Sequence, residues 1–310
     1  MKTSIALVLL LTTCALIAQT PPPASPPQPP VNPQIKQAQE LNRDGKQDAA
    51  LAILTQMLAA DPKNYEANLN AGIVLDLKGD YDQARKYLMQ AIEVAPADRR
   101  VQALRTMAVS YAFTCTLPQV RDYEVQAAEA QLKADKNTDA AGTYNELARI
   151  DLECGDTNAA ADWYQTGYTT AHRVTTLSQA DLDLWEFRYQ SAKARIAARN
   201  GKKVEADADL AFAKATFDSG KLPEDQQRFY PYLAGYVALY TGDYKTAIDQ
   251  LQKADQKDPF VLALLAQAYE KSGDKQEAIK LYHQILTINS HNPTNAFARP
   301  LAKKKLASGG

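Results

Sequence analysis

This chain is poor in the side chains that perform chemistry. Its 310 residues hold three histidines and three cysteines. His172, His283 and His291 share no HExxH or other metal-ligand spacing. The cysteines show neither zinc-site spacing nor a redox CxxC. A GxSxG elbow, a Walker loop and a dinucleotide fingerprint are also missing. Carboxylates are plentiful, but their positions suit helix caps and solvated faces. The expectation is a protein that is not an enzyme and needs no cofactor and no metal. Charge of one sign is lacking too: 35 Lys and Arg stand against 36 Asp and Glu, for a net charge of −1. No overall pull toward nucleic acid or an anionic membrane results, so any electrostatic preference is local.

One apolar run opens the chain. Lys2 precedes Ile5 to Leu11, and small residues with a cut site after Ala18 follow. This is the pattern of a secretory signal peptide over residues 1–18, too short in its apolar part to span a bilayer alone. Export to the periplasm, the cell envelope or the medium is expected, with no integral membrane span in the mature chain. Leu11-Thr12-Thr13-Cys14 is similar to a bacterial lipoprotein cleavage box. Thr13 departs from the small residue expected there, which makes a lipid anchor on Cys14 the lesser reading. Residues 19–33 are rich in proline, a composition that favours extended polyproline II and serves as a stiff spacer. Cys115 and Cys154 remain after cleavage. Export permits a disulfide, but both fall at the ends of successive first helices, about 8–10 Å apart by ordinary helix spacing. Two separate, buried thiols are therefore expected.

What the chain has in abundance is itself. Gly72, Ala84, Leu88 and Pro96 are separated by 12, 4 and 8 residues. The same offsets give Ala38, Ala50, Leu54 and Pro62, and later Gly235, Ala247, Leu251 and Pro259. Ala266, Ala278 and Tyr282 continue the series, as do Ala148, Ala160, Tyr164 and Ala194, Ala206, Leu210. Two antiparallel helices approach closely only where side chains are small, and the large residue fills the space beside the crossing. Gly79, Gly155, Gly242 and Gly273 supply the left-handed residue that ends a first helix. Asp80, Asp156, Asp243 and Asp274 follow and cap the second, with Glu277 completing a capping box after Asp274. Pro62, Pro96 and Pro259 then stop the second helix.

These positions resemble the tetratricopeptide repeat family, and Gly45 and Gly79 stand at its period of 34 residues. The likeness is strongest over 31–98 and 228–290. The resemblance implies an all-α fold: an α-solenoid, a right-handed superhelix of antiparallel helix pairs with about seven repeats over residues 34–292. Residues 99–135 hold a poor copy, with Val120 and Glu124 where a small and a large apolar residue belong. The stretch from Ser178 reads as one overlong helix. Residues 293–310 are expected to form a capping helix and tail over the last repeat's apolar edge.

In such an array the first helices line a concave groove. By the family's contact positions, Phe229, Tyr232, Tyr236 and Tyr240 form a stripe on one first helix. Arg188, Arg195 and Arg199 face it from the preceding repeat, with Asn145 and Arg149 before them. Arginine forks recognise carboxylates, and tyrosine gives contact area at small entropic cost. The resemblance implies a scaffold or adaptor binding a protein or peptide with acidic and aromatic side chains. A glycan stacked on the tyrosines is the alternative. The Lys/Asn and Lys/Arg pairs of the family's chaperone-binding carboxylate clamp are not at the matching positions.

Overall fold

The helix pairs follow from the small–small–large rhythm. A Cβ added to Gly72 would lie 2.5 Å from Cγ of Leu88, and one added to Gly235 would lie 2.5 Å from Cγ of Leu251. The large residue of the second helix thus rests directly on the small residue of the first. Ala84 and Ala247 beside these contacts are fully buried.

A computed structural model describes residues 32–308, apart from the side chains of residues 225 and 227. The signal peptide, Cys14 and residues 19–31 of the spacer lie outside the described residues. Pro33 opens the first helix. The pairs run α1 (Pro33–Arg43) with α2 (Gln47–Ala60), α3 (Tyr65–Lys78) with α4 (Tyr81–Val94), and α5 (Arg100–Ala112) with α6 (Leu117–Lys133). They continue with α7 (Asn137–Glu153) and α8 (Thr157–His172), then α9 (Gln179–Arg199) and α10 (Lys203–Asp218). After a single turn, α11 (Glu224–Gln227), come α12 (Phe229–Thr241) with α13 (Tyr244–Lys253) and α14 (Pro259–Ser272) with α15 (Lys275–Leu286). The last helix is α16 (Pro293–Ala307). Among the described residues this is an α-solenoid of seven helix pairs and a terminal helix, each pair packed on the next.

The turns obey local chemistry. Gly79, Gly155, Gly242 and Gly273 all have positive φ. Asp80, Asp156, Asp243 and Asp274 each accept a hydrogen bond from a backbone N–H in the first turn of the following helix. Two details differ from expectation. Only the Asp274 half of the capping box forms, because the Glu277 carboxylate accepts from Lys280 instead; a complete box stands at Ser178 and Asp181, opening the 21-residue α9. Pro259 does not stop α13, which ends at Lys253; it opens α14, where its missing N–H costs nothing.

The two thiols are paired. Cys115 and Cys154 form a disulfide with Cα atoms 5.5 Å apart. The spacing of helix axes does not apply, because neither residue sits in a helix body. Cys115 occupies the turn position that glycine holds in other pairs, with φ of 49°, and Cys154 caps α7. Stacking brings these two turns closer than the helices behind them.

The terminal helix does more than cover the last repeat. It packs on α14 and α15 as expected, and also against α5 and α7. Arg299 donates from Nε to the Leu77 carbonyl at 2.9 Å, and Lys303 donates to the Lys78 carbonyl at 3.2 Å. Ahead of it, His291 Nε2 meets Asp76 Oδ2 at 2.8 Å, and Asn289 bonds Gln47 and the Arg43 carbonyl. The last helix therefore lies on the first helices of the early repeats, and the superhelix closes on its own C-terminal segment.

Candidate functional site

The first helices α7, α9 and α12 stand side by side in the middle of the array. On α7, Asn145, Arg149 and Glu153 recur every four residues and share one face. Arg188, Arg195 and Arg199 project from α9, and Phe229, Tyr232, Tyr236 and Tyr240 from α12. Between these helices and the start of α16 lies a cleft of about 400 Å³, lined by Asn145, Arg149, Arg188, Arg195, Phe229 and Tyr232 together with Asn292 and Thr294.

Beneath the cleft is a polar layer centred on Glu153, whose Oε2 is bonded and whose buried Oε1 has no hydrogen-bond partner. Arg199 donates to Glu153 Oε2 at 2.9 Å, and the Tyr236 hydroxyl donates to the same oxygen at 3.3 Å. The Arg199 guanidinium also reaches the Tyr236 and Tyr240 hydroxyls and lies 4.8 Å from the Tyr240 ring centre. Burial pushes the Glu153 carboxyl up, against the pull of Arg199, Arg195 and Arg149. Burial also drives Tyr236 well above its ordinary value and Tyr240 to about 12. Both phenols are thus neutral near pH 7.

The layer that faces the cleft is built differently. Arg195 is 7% exposed, and it donates to neutral acceptors: the Tyr164 hydroxyl at 2.9 Å, the Tyr232 hydroxyl at 3.4 Å and the Ser191 carbonyl at 3.3 Å. Arg149 lies over the rings of Tyr232 and Phe260, 5.7 and 5.3 Å from their centres. Its Nε is buried and has no hydrogen-bond partner. Glu146, also on the cleft wall, is held by Arg105 at 2.7 Å.

The structure thus divides the residues expected from sequence. Asn145, Arg149, Arg188, Arg195, Phe229 and Tyr232 reach the cleft. Arg199, Tyr236 and Tyr240 lie under it, and Tyr236 is fully buried. The tyrosines are no continuous wall. Residues four apart on a helix drift by about 40° per step, so a three-residue stripe turns away from the groove into the contact with the next helix. Sequence reasoning missed Glu153, although its four-residue spacing from Arg149 is a signal. It also missed Tyr164, behind Arg195, and the α16 residues that close the cleft. A larger cleft of about 680 Å³ lies across the Asn292–Pro293 wall; Arg105 in its lining is paired with Glu146. Among the described residues no group of three or more His, Cys, Asp or Glu is placed to hold a metal ion, and no helix is long and apolar enough to cross a membrane.

Two family models, both described as tetratricopeptide repeat, match residues 41–108 and 259–292. Among solved structures, a tetratricopeptide repeat protein from Parabacteroides merdae is 10% identical with a TM-score of 0.50, covering 86% of this chain and 97% of its own. The apo form of RapI is 11% identical with a TM-score of 0.54, covering 87% of this chain and 98% of its own. At such identities the likeness shows the fold. No curated protein matches the chain.

Proposed function

We propose that this chain, a tetratricopeptide repeat protein, is a non-catalytic scaffold that holds an acidic and aromatic segment of a partner protein in the cleft between α7, α9 and α12. The observation that carries this reading is the pairing of arginines with aromatic surface on one concave wall. Arg149 and Arg195 supply charge there, and Tyr232 and the 40% exposed Phe229 supply contact area. The site works outside the cytoplasm, in the envelope or beyond it. Two features support that placement: the signal-peptide pattern of residues 1–18, and a disulfide of the kind oxidising compartments allow. A glycan stacking on Phe229 and Tyr232 is the second reading, favoured by the exposure of Phe229 alone.

A photo-crosslinking residue at Phe229, expressed in the native host, tests the scaffold reading. Met89 on α4 is equally exposed at 47% and does not line the cleft, so it serves as the control position. Phe229 should yield discrete protein adducts that Met89 does not. Equal labelling at both positions, or none at Phe229, sinks the proposal. Alkylation of Cys115 and Cys154 in intact cells would count against export, because an oxidised pair does not react.

A further inference from the structure

The second helices turn their outer faces to solvent, and one of those faces differs in kind. In each pair the buried small residue of the second helix fixes the same four outward positions around it. Around Ala247 of α13 they are Lys245, Asp249, Gln252 and Lys253, all exposed and polar. Around Ala278 of α15 they are Gln276, Lys280, His283 and Gln284, again exposed and polar. Around Ala206 of α10 the same four are Val204, Ala208, Ala211 and Phe212, all exposed and apolar. Val204 is 84% exposed and Phe212 51%. Ala215, also exposed, carries this apolar stripe through three turns. Beside the stripe, Phe212, Ala215, Thr216 and Ser219 border a groove of about 330 Å³, closed on its other side by Asp183 and Glu186 of α9 and by Lys221. The inward packing of the pair does not require such a face, since α13 and α15 do without it.

We infer that this face of α10 is the contact of a two-fold dimer, and that its occupant is α10 of a second copy of this chain. Charge selects that partner. Of the charged residues on α10, Glu205 pairs with Lys202 at the helix start and Asp209 with Lys193 of α9. Lys203, Asp207, Lys214 and Asp218 remain along one edge of the stripe, paired within the helix as Lys203 with Asp207 and Lys214 with Asp218. The outer two, Lys203 and Asp218, and the inner two, Asp207 and Lys214, are centred on the same point between Leu210 and Ala211. An antiparallel α10 turned about that point sets Lys203 opposite Asp218 of the second copy and Asp207 opposite Lys214. A parallel pairing would set each charge against its own kind. The same rotation puts Ala208 and Ala211 of both copies at the crossing, where small side chains let helices approach. It also brings Val204 of the second copy level with the groove beside Phe212. Such a contact is isologous and closes at two copies. One face of a 16-residue helix buries less than the roughly 1,600 Å² of a standard interface, so association is weak and depends on concentration. No α10 residue lines the cleft between α7, α9 and α12, so a dimer joined here presents two clefts at once.

Sedimentation velocity of the full chain over a wide concentration range should show a reversible monomer–dimer equilibrium. Phe212→Lys and Ala208→Asp install the residue types that α13 carries at Lys253 and Asp249. Each should weaken association on the order of tenfold or more, with helical content unchanged because both positions are exposed. Lys214→Asp sets two aspartates against each other across the contact and should also weaken it, on the order of tenfold. Adding Asp207→Lys to that variant should restore the dimer. Single cysteines read the register. Ala211→Cys lies beside the two-fold point and should oxidise to a covalent dimer beyond any formed by the parent. Val204→Cys stands about 20 Å from its own mate along an antiparallel pair and should not. A monomer at every concentration, association that survives Phe212→Lys and Ala208→Asp, or no recovery in the double exchange overturns the inference. So does Val204→Cys linking as readily as Ala211→Cys.

Discussion

The inner wall of the superhelix is finished in two ways. Along α1, α3 and α5 the chain's own C-terminal segment lies on it and reaches several polar groups there. Asp76 is fully buried yet accepts from the Ser110 hydroxyl at 2.8 Å and meets His291 at 2.8 Å. Arg299 serves the carbonyls of Leu77, Leu286 and Ile288. Along α7, α9 and α12 the wall faces a cleft, and the Arg149 Nε has no hydrogen-bond partner. The same helix pair builds both stretches. What separates them is how much of the wall the C-terminal segment covers: it packs along the early stretch and only borders the cleft through Asn292 and Thr294.

The bridge between the two stretches offers the largest perturbation. The disulfide joins the α5–α6 turn to the end of α7 across 39 residues of sequence. By the loop-closure argument it contributes about 4 kcal/mol. Cys154→Ser should lower the denaturant midpoint accordingly without lowering helical content in buffer. A loss below about 1 kcal/mol would mean that α6, packed on both α5 and α7, already fixes those turns.

Next in size is the closed stretch itself. Arg299→Met leaves the Leu77 and Leu286 carbonyls without this donor, whereas Ile288 keeps Asn295 at 3.1 Å. Two orphaned buried acceptors cost roughly 3 kcal/mol together. Hydrogen exchange should quicken in both α16 and the end of α3, although 222 residues separate the partners. Exchange that quickens in α16 alone would show that the terminal helix caps the last pair and does not close the superhelix.

Much of this molecule is written locally, and those parts were legible. The glycine turns, the aspartate caps and the seven pairs each depend on residues within about forty positions of one another. Six of the nine proposed groove residues reach the cleft because a first helix in a repeat array has a fixed inner face. Closure was not legible: Asn289 to Gln47, His291 to Asp76 and Arg299 to Leu77 span 242, 215 and 222 residues. Nothing in a local window marks such partners. The disulfide escaped notice because Cys115 replaces a turn glycine, a substitution that reads as a lost signal rather than a new contact. Tyr236 was misplaced by treating a four-residue stripe as straight when the helix makes it wind.

Pair crossings should not distinguish the two stretches, and this gives a control. Gly72→Ala and Gly235→Ala each drive a methyl to 2.5 Å from a leucine Cγ. Both should cost about 2 kcal/mol by overpacking, measured by urea unfolding. A large inequality would show that closure by α16 stiffens the early pairs beyond what their own packing explains.

The smallest effect sharpens the contrast between Arg149, which makes no hydrogen bond to a carboxylate, and Arg105, which faces two. Glu124 is fully buried, its Oε2 lies 3.9 Å from Arg105 Nε, and neither oxygen has a hydrogen-bond partner. Burial first, and the neighbouring Glu146 second, hold its carboxyl well above the usual carboxylate range. A folded state that keeps this proton gains stability below the unfolded value of about 4.3 and loses that gain as pH rises through the folded one. Glu124→Gln fixes the neutral form, so it should match the parent at pH 4 and exceed it by roughly 1–2 kcal/mol at pH 8. Urea midpoints at the two pH values check this. A variant weaker than the parent at pH 8 would place an ionised Glu124 in partnership with Arg105.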